Sequence, residues 1–165
     1  MHQQPLDFTA RRLATRKAPV RRVIELGSLD INGSPRHLFD DGVDYVGVDL
    51  QSGPGVDVVA DAATVGLEPA DVVLCLEVFE HATNPEAIIR NARVLLRRGG
   101  LFVASCAMDP RAPHSAIDER PIRPWEHYRN IAPDEMAAWL SDGWRSVLVE
   151  PHPDRGDLYA SATKA

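Results

Sequence analysis

Arg22-Val-Ile-Glu-Leu-Gly27-Ser-Leu-Asp-Ile-Asn-Gly33 is a short apolar run that breaks at a glycine, with a second glycine six residues on. Runs of this length suit a strand buried on both faces, as in parallel sheets. Four similar runs follow, at Asp44–Asp49, Val56–Ala60, Asp71–Leu76 and Gly100–Ser105. Helix signals lie between them. Ser34-Pro35 reads as N-cap and first helical residue, with Leu38 and Phe39 inward and Gly42 as the stop. Asn84-Pro85 repeats the signal, with Ile88, Ile89, Ala92, Leu95 and Leu96 as the inward stripe. Arg97 and Arg98 suit that helix's negative end, and Gly99 stops it. A third helix starts at Pro133, buries Met136, Ala137 and Leu140, and ends by Gly143. Ser146–Glu150 and Asp157–Thr163 are two more strands, joined by too few residues for a crossover, so they form an antiparallel hairpin. The expected fold is α/β, a mostly parallel sheet closed by a C-terminal antiparallel hairpin.

The 165 residues suit one domain, and 44% hydrophobic with 25% charged residues is ordinary for a globular chain. No apolar run is long enough to span a membrane, and Met1-His2-Gln3-Gln4 lacks a secretory pattern, so the expected location is the cytoplasm. Cys75 and Cys106 sit in apolar runs and read as buried free thiols. The net charge of −6 is uneven. Arg11, Arg12, Arg16, Lys17, Arg21 and Arg22 precede residue 23 against the single acid Asp7, leaving 12 basic and 23 acidic residues in the remainder. An acidic body argues against nucleic-acid binding. Residues 1–21 read as a basic N-terminal arm or helix, and 22–165 as a single domain. Within it, the stretch 107–132, with prolines at 110, 113, 121 and 124, reads as a lid or substrate loop.

Ligands of open parallel sheets bind beyond the carboxyl ends of the strands. Gly27 allows a sharp turn there, and Gly33 allows close backbone approach before the next element. The loop is not a phosphate loop, since no Lys-Ser or Lys-Thr follows, and Leu29 and Asp30 break the pattern G-x-G-x-x-G. Asp49 ends the second strand 22 residues beyond Gly27, where a carboxylate can accept both hydroxyls of a ribose or cap its own loop. Asp61-Ala62 follows the third strand, where the carboxylate can accept an adenine amine or cap a turn. Glu77-Val-Phe-Glu80-His81 leaves the fourth strand at the same edge, where Glu77 either caps the strand or lies with His81 between cofactor and substrate.

At these residues the chain resembles class I S-adenosylmethionine-dependent methyltransferases. The ordered motifs are Val23-Ile-Glu-Leu-Gly-Ser28 with Asn32-Gly33, Tyr45-Val-Gly-Val-Asp49, Val58-Val-Ala-Asp61-Ala62, Leu76-Glu-Val-Phe-Glu-His81 and Leu95-Leu-Arg-Arg-Gly-Gly-Leu-Phe-Val103. They resemble the small members whose fourth motif reads E-V-x-E-H. The resemblance implies a Rossmann-like, seven-stranded sheet with reduced helices and S-adenosylmethionine as cofactor. It implies cofactor contacts from Glu25, Gly27, Ser28 and Gly33 near the methionine moiety, and from Asp49 and Leu50 at the ribose. Asp61 and Ala62 would flank the adenine, and Leu76, Glu77 and His81 are the remaining cofactor-binding candidates. The family's second turn glycine is replaced by Leu29, and only about six residues link strands two and three, so the third strand is expected to be short or at an open edge.

His81, His114 and His127 are the candidate catalytic bases, the last within Trp125-Glu-His-Tyr-Arg129. Glu126, His114 and His127 lack diagnostic metal-ligand spacing, and no metal is expected. The leading expectation is methyl transfer to an unknown, small-molecule acceptor. The alternatives are a non-catalytic relative acting as a binding or regulatory protein and a nicotinamide oxidoreductase, the latter disfavoured by the broken glycine pattern.

Overall fold

The computed structural model describes residues 3–118 and 120–165. After α1 (Gln3–Ala14), the strands β1 (Arg22–Leu26), β2 (Asp44–Asp49), β3 (Val58–Val59), β4 (Ala70–Leu76), β5 (Leu96–Ala107), β6 (Trp144–His152) and β7 (Asp157–Lys164) form one sheet. Its order is β3-β2-β1-β4-β5-β7-β6. The first five strands pair in parallel, and β7 runs antiparallel between β5 and β6. The chain builds outward from β1 to β3 and then returns to place β4 on the other side of β1. The order reverses between β1 and β4, which opens a crevice at their carboxyl ends.

Side chains alternate to opposite faces along the central strands. Ile24, Leu26, Val73, Cys75 and Phe102 meet α2 (Pro85–Leu95) and α3 (Pro133–Trp139) on one face. Val23, Val72, Leu74 and Val103 meet Phe8 of α1 on the other, where Phe8 stacks on Tyr159 at 5.2 Å. The basic N-terminal segment thus includes a helix with Phe8 and Thr9 buried, Arg11 exposed and Arg12 half-buried. Both cysteines are free and buried.

Several local expectations need correction. The helix after Ser34 is a single 3-10 turn, Pro35–Leu38, although Ser34 does cap it by accepting from the Arg36 N–H. α2 begins as expected, with the Asn84 side chain accepting from the Ala87 N–H at 3.1 Å, but it stops at Leu95 rather than Gly99. Leu96 is already extended and pairs with Ala70, Arg97 reaches Asp71 at 2.8 Å, and Gly99 has a φ of +75° that no helix accommodates. Ala137 is exposed, because it lies about 100° round α3 from the buried line of Met136 and Leu140. The third strand keeps only Val58 and Val59, at the sheet edge, as its short connection requires.

Candidate active site

A cavity of about 450 Å³ opens at the crevice between β1 and β4. Glu25, Gly27, Ser28, Gly33, Asp49, Leu50, Asp61, Ala62, Leu76, Glu77 and His81 all line it, as does His114 from the long loop. His127 is not among its lining residues.

The glycine loop is fixed by the strand beside it. The Gly27 and Ser28 N–H groups both donate to the Val48 carbonyl, at 2.8 and 3.0 Å. Gly27 has a φ of +82°, and a Cβ there would stand 2.2 Å from Val78 Cγ2. Glycine is therefore required twice over, by backbone conformation and by space. Glu25 is 2% exposed and accepts from the Tyr45 hydroxyl at 2.8 Å. Burial pushes its carboxyl up to about 7, against the lowering effect of that hydrogen bond.

Asp49 joins the loop to the β2 end. Its Oδ2 accepts from the Leu29 N–H and its Oδ1 from the Gln51 N–H, both at 3.1 Å. The carboxylate therefore does cap its own loop and also faces the cavity. Leu29 lines the cavity, and its side chain lies over Gly53, where a Cβ would come within 2.4 Å of Leu29 Cδ1. Asp61 accepts from the Ala63 N–H at 2.8 Å. Asn91 of α2 anchors the same turn by donating to the Ala62 and Val65 carbonyls at 2.9 and 3.0 Å. The signal for Asn91 is a polar residue three positions from Ile88 on an apolar stripe, and the sequence reading passed over it.

Beyond β4, Glu77 has a φ of +58°, unusual for a residue with a Cβ. Its carboxylate accepts from the Ser105 hydroxyl at 2.8 Å and from Arg111 at 3.0 Å, and Arg111 also holds Asp157 at 3.0 Å. Arg111, 34 residues away in an irregular loop, carried no sequence signal. The next turn buries Glu80 completely, with Oε1 accepting from the Ala107 N–H at 3.1 Å. Burial, reinforced by the neighbouring Glu77, pushes the Glu80 carboxyl up to about 8.

His81, His114 and Tyr128 meet edge to face, with ring centroids 5.0–5.4 Å apart. Burial, with His114 adding in the same direction, holds the His81 imidazole down to about 4, so it is neutral at pH 7. Glu126 does not join them, because its carboxylate accepts from the Ser115 hydroxyl at 2.7 Å and the Arg123 N–H at 2.8 Å. Trp125 is 77% exposed.

The family model described as a methyltransferase domain matches residues 1–145. The ubiquinone biosynthesis O-methyltransferase of Xanthomonas axonopodis pv. citri is 36% identical over 127 residues, covering 66% of this chain and 53% of that protein. The chain spans about half the length of the curated relatives it matches. A solved 1,6-didemethyltoxoflavin-N1-methyltransferase from Burkholderia thailandensis, with S-adenosylhomocysteine bound, superposes with a TM-score of 0.70 at 18% identity, over 99% of this chain and 77% of that one. Magnesium protoporphyrin IX methyltransferase from Synechocystis PCC 6803, also with that product bound, gives 0.67 at 18% identity, over 99% and 84%. Strand order, glycine loop and family match agree: the chain belongs to the class I S-adenosylmethionine-dependent methyltransferases.

Proposed function

We propose that this chain transfers the methyl group of S-adenosylmethionine to a small-molecule acceptor. The observation that carries the reading is the convergence, on one cavity, of the glycine loop, Asp49, Asp61-Ala62 and the Glu77–His81 turn. In this reading the loop from Glu25 to Gly33 runs under the methionine moiety and Asp49 accepts the ribose hydroxyls. Asp61 and Ala62 flank the adenine, and Leu76 and Glu77 border the sulfonium. His81 and His114 stand at the end of the cavity left for the acceptor. The acceptor's nucleophile must lie in line with the methyl–sulfur bond, about 3–3.5 Å from the methyl carbon. Attack forms the new bond to carbon while the carbon–sulfur pair stays on sulfur, giving the neutral thioether of S-adenosylhomocysteine, and a hydroxyl acceptor gives up its proton to solvent. A neutral His81 can hydrogen-bond an acceptor hydroxyl without adding positive charge beside a sulfonium.

The curated relatives are named as O-methyltransferases, which favours an oxygen acceptor. Incubation with methyl-labelled cofactor and a panel of phenols, catechols and amines tests the reading. Acceptor-dependent label transfer is expected. Tight binding of the homocysteine product with no transfer to any acceptor, including the organism's own small-molecule extract, would instead assign a binding or regulatory role.

A further inference from the structure

A carboxylate oxygen of Glu80 and ring nitrogens of His81 and His114 all lie within 4.8 Å of one another. Two buried atoms of this trio lack partners. Glu80 is 0% exposed, and while its Oε1 takes the Ala107 N–H, its Oε2 has none. His81 Nδ1 is likewise buried and unpartnered. Buried polar atoms are nearly always satisfied, so two orphaned atoms on adjacent members of this trio leave a place for a common partner. Arg111 nearby does not supply it, since it is engaged by Glu77 and Asp157.

We propose that Glu80, His81 and His114 bind a divalent transition-metal ion, with zinc as the reference occupant. Two imidazoles and one carboxylate suit zinc, iron(II), manganese or cobalt, whereas magnesium and calcium favour all-oxygen sets. A tetrahedral ion about 2.0–2.1 Å from its ligands holds them roughly 3.3 Å apart. His114 supplies the adjustment, because it sits in an irregular loop with Nδ1 only 3.3 Å from the Ala112 carbonyl as a weak tether. Three protein ligands leave a fourth position free, and His81 and His114 line the cavity, so that position faces the acceptor.

The chemical role rests on the methyl-transfer reading, whereas the binding of the ion does not. An acceptor hydroxyl on the ion loses its proton to solvent at a lower pH than when free. The resulting oxygen anion attacks the methyl carbon, the carbon–sulfur bond breaks, and its electron pair remains on sulfur. The ion thus favours acceptors that present a hydroxyl able to take that one open position. The ligands were not read from sequence because His114 lies 33 positions beyond His81, in a stretch without periodicity.

The test uses the full chain, stripped with a chelator and then titrated with cobalt(II) by visible absorption and with zinc by calorimetry. One ion per chain with a micromolar or tighter Kd is expected. His114→Ala should weaken binding at least about tenfold, since removing a ligand costs no less than removing a ligand's support. Glu80→Gln should do the same, with circular dichroism checking its fold. The absence of saturable one-to-one binding overturns the site, and so does binding that His114→Ala leaves unchanged. S-adenosylhomocysteine is titrated on the same samples. Product binding without ion binding sinks the metal site alone, and ion binding without product binding supports the metal site while removing the methyl-transfer reading.

Discussion

Two carboxylates of the cavity do different work at the scale of single residues. Asp49 holds the N–H groups of Leu29 and Gln51, which orients it before any ligand arrives. Charge-assisted bonds of the kind it would offer a ribose in the proposed reading are worth about 1.5–3 kcal/mol. Asp49→Ala should therefore weaken binding of S-adenosylhomocysteine by roughly 10–100-fold in calorimetry, and an unchanged Kd would remove the ribose assignment. Glu25 is a buried acid whose carboxyl is raised to about 7 in the fold. The folded chain thus holds this proton more tightly than the unfolded chain, whose glutamate titrates near the ordinary value of 4.5. The resulting stability is fully present below pH 4.5 and is lost as pH rises to about 7. Glu25→Gln keeps an acceptor for Tyr45 and should remove that loss, on the order of 3 kcal/mol between pH 4.5 and 8. Urea unfolding at several pH values reads it, and parallel curves for the two proteins would contradict it. Gly27→Ala meets both a positive φ and Val78, and should cost at least about 1–3 kcal/mol in the same assay, together with product binding.

Among elements, α1 is held by one large anchor. Phe8 is 1% exposed and stacks on Tyr159, so Phe8→Ala should cost about 3–5 kcal/mol and lower Tm by roughly 10 °C or more. A thermal shift under 2–3 °C, about 1 kcal/mol for a chain of this size, would mean the helix is only loosely docked. Legibility in sequence also divides by element. β1 and β2 occupy the stretches their runs mark: β1 is buried along nearly its whole length, and β2 around Gly47 and Val48. The caps at Ser34 and Asn84 were equally readable, since a cap is a local bond between neighbours. The end of α2 was not, because Leu96 and Arg97 are taken into β5 by distant Ala70 and Asp71. The loop from 107 to 132 was recognisable only as irregular, since Arg111 and Glu126 are placed by partners that no spacing encodes.

For the whole molecule, the turns that motif order pointed to all meet at one crevice. The reversal of strand order between β1 and β4 makes them neighbours although they span 57 residues of chain, from Glu25 to His81. Long contacts of this kind are implied by a parallel topology once the strands are identified, which is why the strand-end lining was more legible than the lining from the irregular loop. The remainder of the cavity lining includes His114, Ser115 and Ala116 from the irregular loop. Among the described residues no helix is long and apolar enough to cross a membrane. The central claim is that the crevice is an S-adenosylmethionine site. Calorimetry of the full chain with S-adenosylhomocysteine and with NAD tests it most directly. One product molecule bound per chain with a micromolar Kd, and no heat from NAD, is the result this account predicts; silence towards the product, or saturable binding of NAD, would contradict it.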